Sequence, residues 1–135
     1  MKTTRLRLTA ALAALALAAV GCGDDGDDTS TTTDKPSFAA GTTMKRIQDA
    51  GTLKVGTKFD QPLYGEKTLG ADEPKGFDVE IAKIIAKALG VKADFQEAVS
   101  KNREPFIQNG TVDIVVATYT INDKRKEVVD FAGPY

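Results

Sequence analysis

The sequence predicts an α/β fold built on an open parallel sheet flanked by helices, and three observations carry that reading. Strand-like runs alternate with helix-like runs: TLKVGTKF, VKADFQEAV and TVDIVVAT are separated by GFDVEIAKIIAKALG and NREPFIQNG. A strand–helix order of this kind returns each strand parallel to the last. The third run is continuously apolar from Ile114 to Ala117, as a strand covered on both faces should be. The long helix carries an apolar stripe at Ile81, Ile84, Ile85 and Ala88, the i, i+3, i+4, i+7 spacing of a core-facing helix.

Each element has its own local signals. TTMKRIQDAG predicts a short helix capped by a threonine and stopped by Gly51. The first strand follows in TLKVGTKF, and DQPLYGEKTLGADEPK, rich in Gly and Pro, reads as loop. In the long helix Lys83 and Lys87 face outward and Gly90 gives the C-terminal stop. The second strand alternates Ala93, Phe95 and Glu97 against Lys92, Asp94 and Gln96. NREPFIQNG is a short helix with Pro105 near its start, where a missing N–H costs least. NDKRKEVV is a final helical turn capped by Asn122 or Asp123, and VDFAGPY opens another extended segment. Ligands of open α/β sheets sit beyond the carboxyl ends of the strands. Those ends are Thr57 to Phe59, Ala98 to Arg103 and Thr118 to Arg125.

The chain of 135 residues holds one modest domain, and part of it is not fold. Residues 1–21 have a basic head, Lys2, Arg5 and Arg7, followed by the apolar run Leu8 to Gly21, the pattern of a secretory signal. That run is shorter than the ~20 residues that span a bilayer. It ends AVGC, which resembles a bacterial lipobox, so Cys22 is expected to carry lipid after cleavage. Cys22 is the only cysteine, which excludes an internal disulfide. Residues 22–42, Asp-, Thr- and Ser-rich, read as a flexible tether, and residues 43–135 as the folded part. The aspartates of the tether lack the later glutamate of an EF-hand loop, so no metal is expected there. From Thr43 onward 14 Lys and Arg balance 14 Asp and Glu, which argues against a nucleic-acid partner. Without histidine, His-based triads and most zinc sites are excluded.

Two blocks of this sequence carry a family resemblance. GFDVEIAKIIAKAL resembles the signature of the bacterial extracellular solute-binding proteins, family three, the polar amino acid receptors of ABC importers. QNGTVDIVVATYTINDKRKEVVDFAGPY is similar to the block that follows it in that family: strand, Thr-x-Thr, turn, arginine, apolar strand, Pro-Tyr. The resemblance covers Met44 to Tyr135 and is nearest to glutamate-binding members. It implies lobe one of a type II periplasmic-binding-protein fold, a lipid-anchored receptor on the extracytoplasmic face of the cell membrane, monomeric when complete, and an ABC permease as partner. No cofactor and no catalysis are implied.

Residue by residue, the resemblance places Arg125 on the ligand α-carboxylate, where a planar guanidinium offers two parallel hydrogen bonds. Thr120 matches a hydroxyl donor to the same carboxylate, and Thr118 a position that contacts the ligand. Ser100 and Arg103 resemble the Ser-x-x-Arg of glutamate and aspartate receptors, and Lys58 falls where those receptors hold a basic residue for the distal carboxylate. Three cations on one crest imply glutamate or aspartate as ligand. Several of these residues also have a plainer reading: Arg125 as a solvated surface charge, Thr120 as a helix cap, Arg103 as a surface partner of Glu104 or Glu97, and Lys58 as an ordinary strand-end lysine; Phe59 and Tyr64 read equally as a lid over the ligand or as core or loop packing. The same fold serves sensors, dehydratases and transglycosylase modules, which remain alternative functions. Family members cross into a second lobe about where Tyr135 falls. The sequence is therefore expected to be a partial one, lacking lobe two and the carboxylate it would bring to the ligand's ammonium. As it stands the chain is expected to be marginally folded, to associate or degrade, and to give no measurable glutamate heat in titration.

Overall fold

A computed structural model describes residues 35–135. The signal segment 1–21, Cys22 and the tether up to residue 34 lie outside the described residues.

Helix α1 (Thr43–Ala50) begins where Thr42 Oγ1 accepts the Lys45 N–H at 3.2 Å and ends where Gly51, at φ 68°, turns its N–H onto the Gln48 carbonyl. Ile47 is its buried contact with the sheet. Arg46 Nη2 donates to Asp113 Oδ1 at 2.6 Å, and the other oxygen of Asp113 accepts the Lys54 N–H at 2.9 Å, so helix and sheet base are pinned by one carboxylate. Besides Thr42, other residues within the stretch read as tether touch this unit. Gln48 Nε2 donates to the Pro36 carbonyl at 2.6 Å, and Phe38 packs, partly buried, against the core. A single aromatic ring gains enough burial to hold a segment that its polar neighbours alone would not.

The sheet is parallel, in the order β4–β1–β5, with β1 (Thr52–Thr57) central between β4 (Lys92–Glu97) and β5 (Ile114–Val115). β1 pairs with β4 along its whole length, Thr52 opposite Lys92 through Thr57 opposite Glu97. Leu53, Val55, Ala82, Ala86, Leu89 and Val116 form the core with Ile47. β5 is shorter than the apolar run suggests: only Ile114 and Val115 pair with Val55 and Gly56 and, as an edge among the described residues, they are half-buried. The chain continues along β1 for one more bond, Val116 N–H to the Gly56 carbonyl at 2.9 Å, before it turns away.

Helix α2 (Phe77–Leu89) has the predicted span and the predicted Gly90 stop, at φ 70°. Its buried face differs from the expected stripe. Val79, Ala82, Ala86 and Leu89 face the core, Ile81 and Ile85 flank it, and Ile84 and Ala88 are exposed. The helix is apolar around most of its circumference, so spacing alone admits two neighbouring faces. The alanine face wins because small side chains let the helix axis approach the sheet closely.

The segment read as loop before α2 contains a hairpin, β2 (Asp60–Gln61) against β3 (Gly65–Glu66), extended by a bridge from Glu66 to Lys75. The hairpin caps the helix. Gly76 offers no side chain to the first α2 amides, and the Leu63 and Tyr64 carbonyls accept the Phe77 and Asp78 N–H groups at 2.8 and 3.0 Å. Glycine is required at 76, where φ is 135° and a Cβ would overlap the Tyr64 carbonyl. After β4 a 3-10 turn (Ser100–Asn102) leads into α3 (Arg103–Gln108), and α4 (Asp123–Lys126) follows β5. Residues 130–135, expected to be extended, have no regular structure but return to the α2 N-terminus, where the Tyr135 ring lies 6.0 Å from that of Phe77.

Candidate functional site

The carboxyl ends of β1, β4 and β5 gather the expected residues at one crest. Lys58 follows β1, and its Nζ lies 2.9 Å from Asp60 Oδ1. Ser100, exposed, opens the turn after β4, and Arg103 opens α3. Thr118 and Thr120 lie beyond β5 with both side chains exposed, and Arg125 sits in α4. Asn122 Oδ1 caps α4 by accepting the Arg125 N–H at 3.0 Å, so the Asx cap stands and the threonine cap does not form.

The two arginines stand in different electrostatic positions. Arg125 Nε donates to Glu104 Oε1 at 3.0 Å, and Nη1 donates to the Thr120 carbonyl at 2.6 Å. Its guanidinium is thus oriented by the protein, with Nη2 left for another acceptor. Arg103 is only 4 % exposed, forms no ion pair among the described residues, and its Nε has no acceptor. The surface pair with Glu104 or Glu97 does not form, because Glu104 faces Arg125 instead. Burial, and then the neighbouring Arg125 charge, hold the Arg103 guanidinium below the ordinary arginine pKa. Burial pushes the Glu104 carboxyl up, but hydrogen bonds and the Arg125 charge outweigh it and leave it below the usual glutamate value.

Three residues at this crest escaped the sequence reading of the site, Tyr119, Gln61 and Asp78, and Glu104, read only as a partner of Arg103, binds Arg125 instead. Tyr119 sits between the threonines, with the Arg125 and Arg103 guanidinium carbons 4.5 and 5.2 Å from its ring centroid. Phe131 packs on the same ring at 5.2 Å. Gln61 Oε1 accepts the Thr118 hydroxyl proton at 2.8 Å. Asp78, 1 % exposed, accepts the Thr118 N–H on Oδ2 at 2.8 Å and the Tyr135 hydroxyl on Oδ1 at 3.2 Å. Thr118 holds a positive φ of 31° at that bond. The available signal for Asp78 was an acid beside Val79 on the face that packs inward.

The Tyr119 hydroxyl is buried without a well-formed hydrogen bond, and burial, then the adjoining Glu104 carboxylate, push its pKa up to about 12. Tyr135 is pushed up to about 12 by burial and then by Asp78. An unfolded tyrosine loses its proton near 10, so between pH 10 and 12 the unfolded chain binds fewer protons than the native one. Stability is therefore fully present below pH 10 and falls as pH rises toward 12. Denaturant unfolding across that window should show the decline, and Tyr119→Phe should make it shallower. An equal decline in the variant would place the Tyr119 hydroxyl in water.

With that geometry in view, residues 53–135 match the bacterial extracellular solute-binding proteins, family 3. The chain belongs to this family. The family 3 chain is 40 % identical to the ABC transporter glutamine-binding protein GlnH of Bacillus subtilis (strain 168), over 99 % of this chain and 48 % of that protein. It is 34 % identical to the glutamate-binding protein GluB of Corynebacterium glutamicum (strain ATCC 13032), over 99 % of this chain and 44 % of that one. Among solved structures it is similar to the arginine-bound form of domain 1 from TmArgBP of T. maritima, with a TM-score of 0.62 and 32 % identity, covering 67 % of this chain and 71 % of that one. This family 3 chain spans about half the length of the curated relatives it matches. The fold is that of a type II periplasmic binding protein, in part: its parallel sheet and flanking helices are those described above. Among the described residues no helix is long and apolar enough to cross a membrane.

Proposed function

We propose that this protein is the substrate-binding component of an amino acid ABC importer, taking glutamate or another polar amino acid outside the membrane and delivering it to a permease. The observation that carries the reading is Arg103, a cation 4 % exposed with no acid paired to it among the described residues. Leaving a buried charge uncompensated is costly. An incoming carboxylate supplies the missing counter-charge, and Arg125 stands beside it with an unused Nη2. Thr118, Thr120 and Ser100 border the site as exposed residues, and Lys58, engaged with Asp60, is the third expected cation at its rim.

The names of the relatives, glutamine-binding and glutamate-binding, support an amino acid ligand and a binding role instead of catalysis. The crest acids support it too, since Asp60 and Glu104 are each tied to a cation. The arginine-bound domain 1 from TmArgBP supports the capacity of a single lobe of this fold to hold an amino acid, against the expectation of negligible binding. Cys22 as a lipid anchor belongs to the same reading, and partitioning of the protein into a detergent phase tests it. Isothermal titration with a panel of amino acids, carried to millimolar ligand, tests the function. Glutamate, aspartate or glutamine should give saturable heat, and leucine none. Absence of heat from every polar amino acid would remove the assignment.

A further inference from the structure

The division of labour implied by resemblance gives Arg125 the main-chain carboxylate of the ligand and Arg103 a distal one. The geometry of Tyr119 points elsewhere. Both guanidiniums lie on a single aromatic ring, at 4.5 and 5.2 Å from its centroid. Two like charges so placed repel each other, and after burial the Arg125 charge is the main influence lowering the Arg103 pKa. The ring offsets that repulsion, because each cation is attracted to its quadrupole. The ring is itself fixed. Phe131 packs on it at 5.2 Å, and its chain neighbour Thr118 is held by Asp78 and Gln61. Glu104 then fastens Arg125 Nε, leaving the two cations with different free edges.

We propose that Tyr119 is a positioning residue of the ligand site, whose ring, and not its hydroxyl, gathers Arg103 and Arg125 into one clamp for a single carboxylate. The carboxylate common to all α-amino acids is the group such a clamp takes. The ring therefore sets affinity for the class without setting preference within it. The inference rests on the proposed function, and a readout on ligand-free protein separates the two. Protons of both guanidiniums should show upfield ring-current shifts in the NMR spectrum of the free protein, lost in Tyr119→Leu and kept in Tyr119→Phe.

In titrations with glutamine and glutamate, Tyr119→Leu should weaken both about tenfold or more, with their affinity ratio unchanged within about twofold. Tyr119→Phe should bind within about threefold of the original protein. Wild-type-like binding by Tyr119→Leu, an equal loss in Tyr119→Phe, or a loss confined to glutamate would each overturn the proposal. Absent ring-current shifts would overturn the platform itself. If the shifts are present and no amino acid binds, the platform stands as a structural feature, and both the ligand clamp and the importer reading fall.

Discussion

Arg103→Met should abolish amino acid binding while leaving the fold as stable as before, or more so. A buried cation normally costs stability unless it is paired. Arg103 has no acid partner among the described residues, and its Nε is unsatisfied. What it gives the native state is packing and a cation–π contact with Tyr119 at 5.2 Å, about 0.5–2 kcal/mol. Methionine retains much of the packing and removes the desolvation cost. The change in unfolding free energy should therefore lie within about 1 kcal/mol of zero. Binding should fall by about 3 kcal/mol or more, upward of a hundredfold in Kd, because a desolvated carboxylate would lose one of the two guanidiniums that hold it. Calorimetric titration and a denaturant melt of the same sample separate the effects. A variant that unfolds easily yet binds normally would make Arg103 a structural residue.

The second large effect falls on stability. Asp78→Ala should destabilise the domain by about 3 kcal/mol and lower the melting temperature by on the order of 15 °C. The carboxylate is 1 % exposed and sits in the first turn of a 13-residue helix, where the macrodipole favours negative charge. It accepts the Thr118 N–H at 2.8 Å and the Tyr135 hydroxyl at 3.2 Å, joining the helix start, the end of β5 and the last residues of the chain. Alanine leaves both donors without an acceptor. Asp78→Asn keeps an oxygen for Thr118 and should recover part of the loss. Calorimetric melts of the three proteins decide it, and a drop below about 3 °C for alanine would show that the buried bonds are replaced by water.

These effects also show where the sequence was readable. Local rules sufficed wherever one residue type answers one backbone need. Thr42 and Gly51 bracket α1, Gly90 ends α2, and Asn122 caps α4, because each satisfies or redirects a helix terminus by itself. The position of the crest was legible because the strand order fixes which loops meet, Thr57 to Phe59, Ala98 to Arg103 and Thr118 to Arg125, whereas the choice of Lys58, Ser100, Arg103, Thr118, Thr120 and Arg125 within it rested on the family resemblance. The partners of those residues were not legible. Glu104 could have paired with either arginine, and only the direction of α3 chooses Arg125. Tyr119 between two threonines gives no sign that both guanidiniums will lie on it, since one is contributed from 16 residues upstream and the other from 6 downstream. The core stripe of α2 slipped by one position because bulk was taken as the mark of burial, whereas close packing against a sheet rewards Ala82 and Ala86. The hairpin at 60–66 was hidden because its chief partner, the N-terminus of α2, lies outside any local window.

Arg103, unpaired among the described residues, is the cation to which a ligand carboxylate is proposed to bind. A crystal structure of the protein grown with glutamine or glutamate tests it most directly. A carboxylate oxygen is expected within about 3 Å of an Arg103 guanidinium nitrogen, with Arg125 Nη2 on the same group. An amino acid bound elsewhere, with Arg103 still lacking an anion, would contradict it.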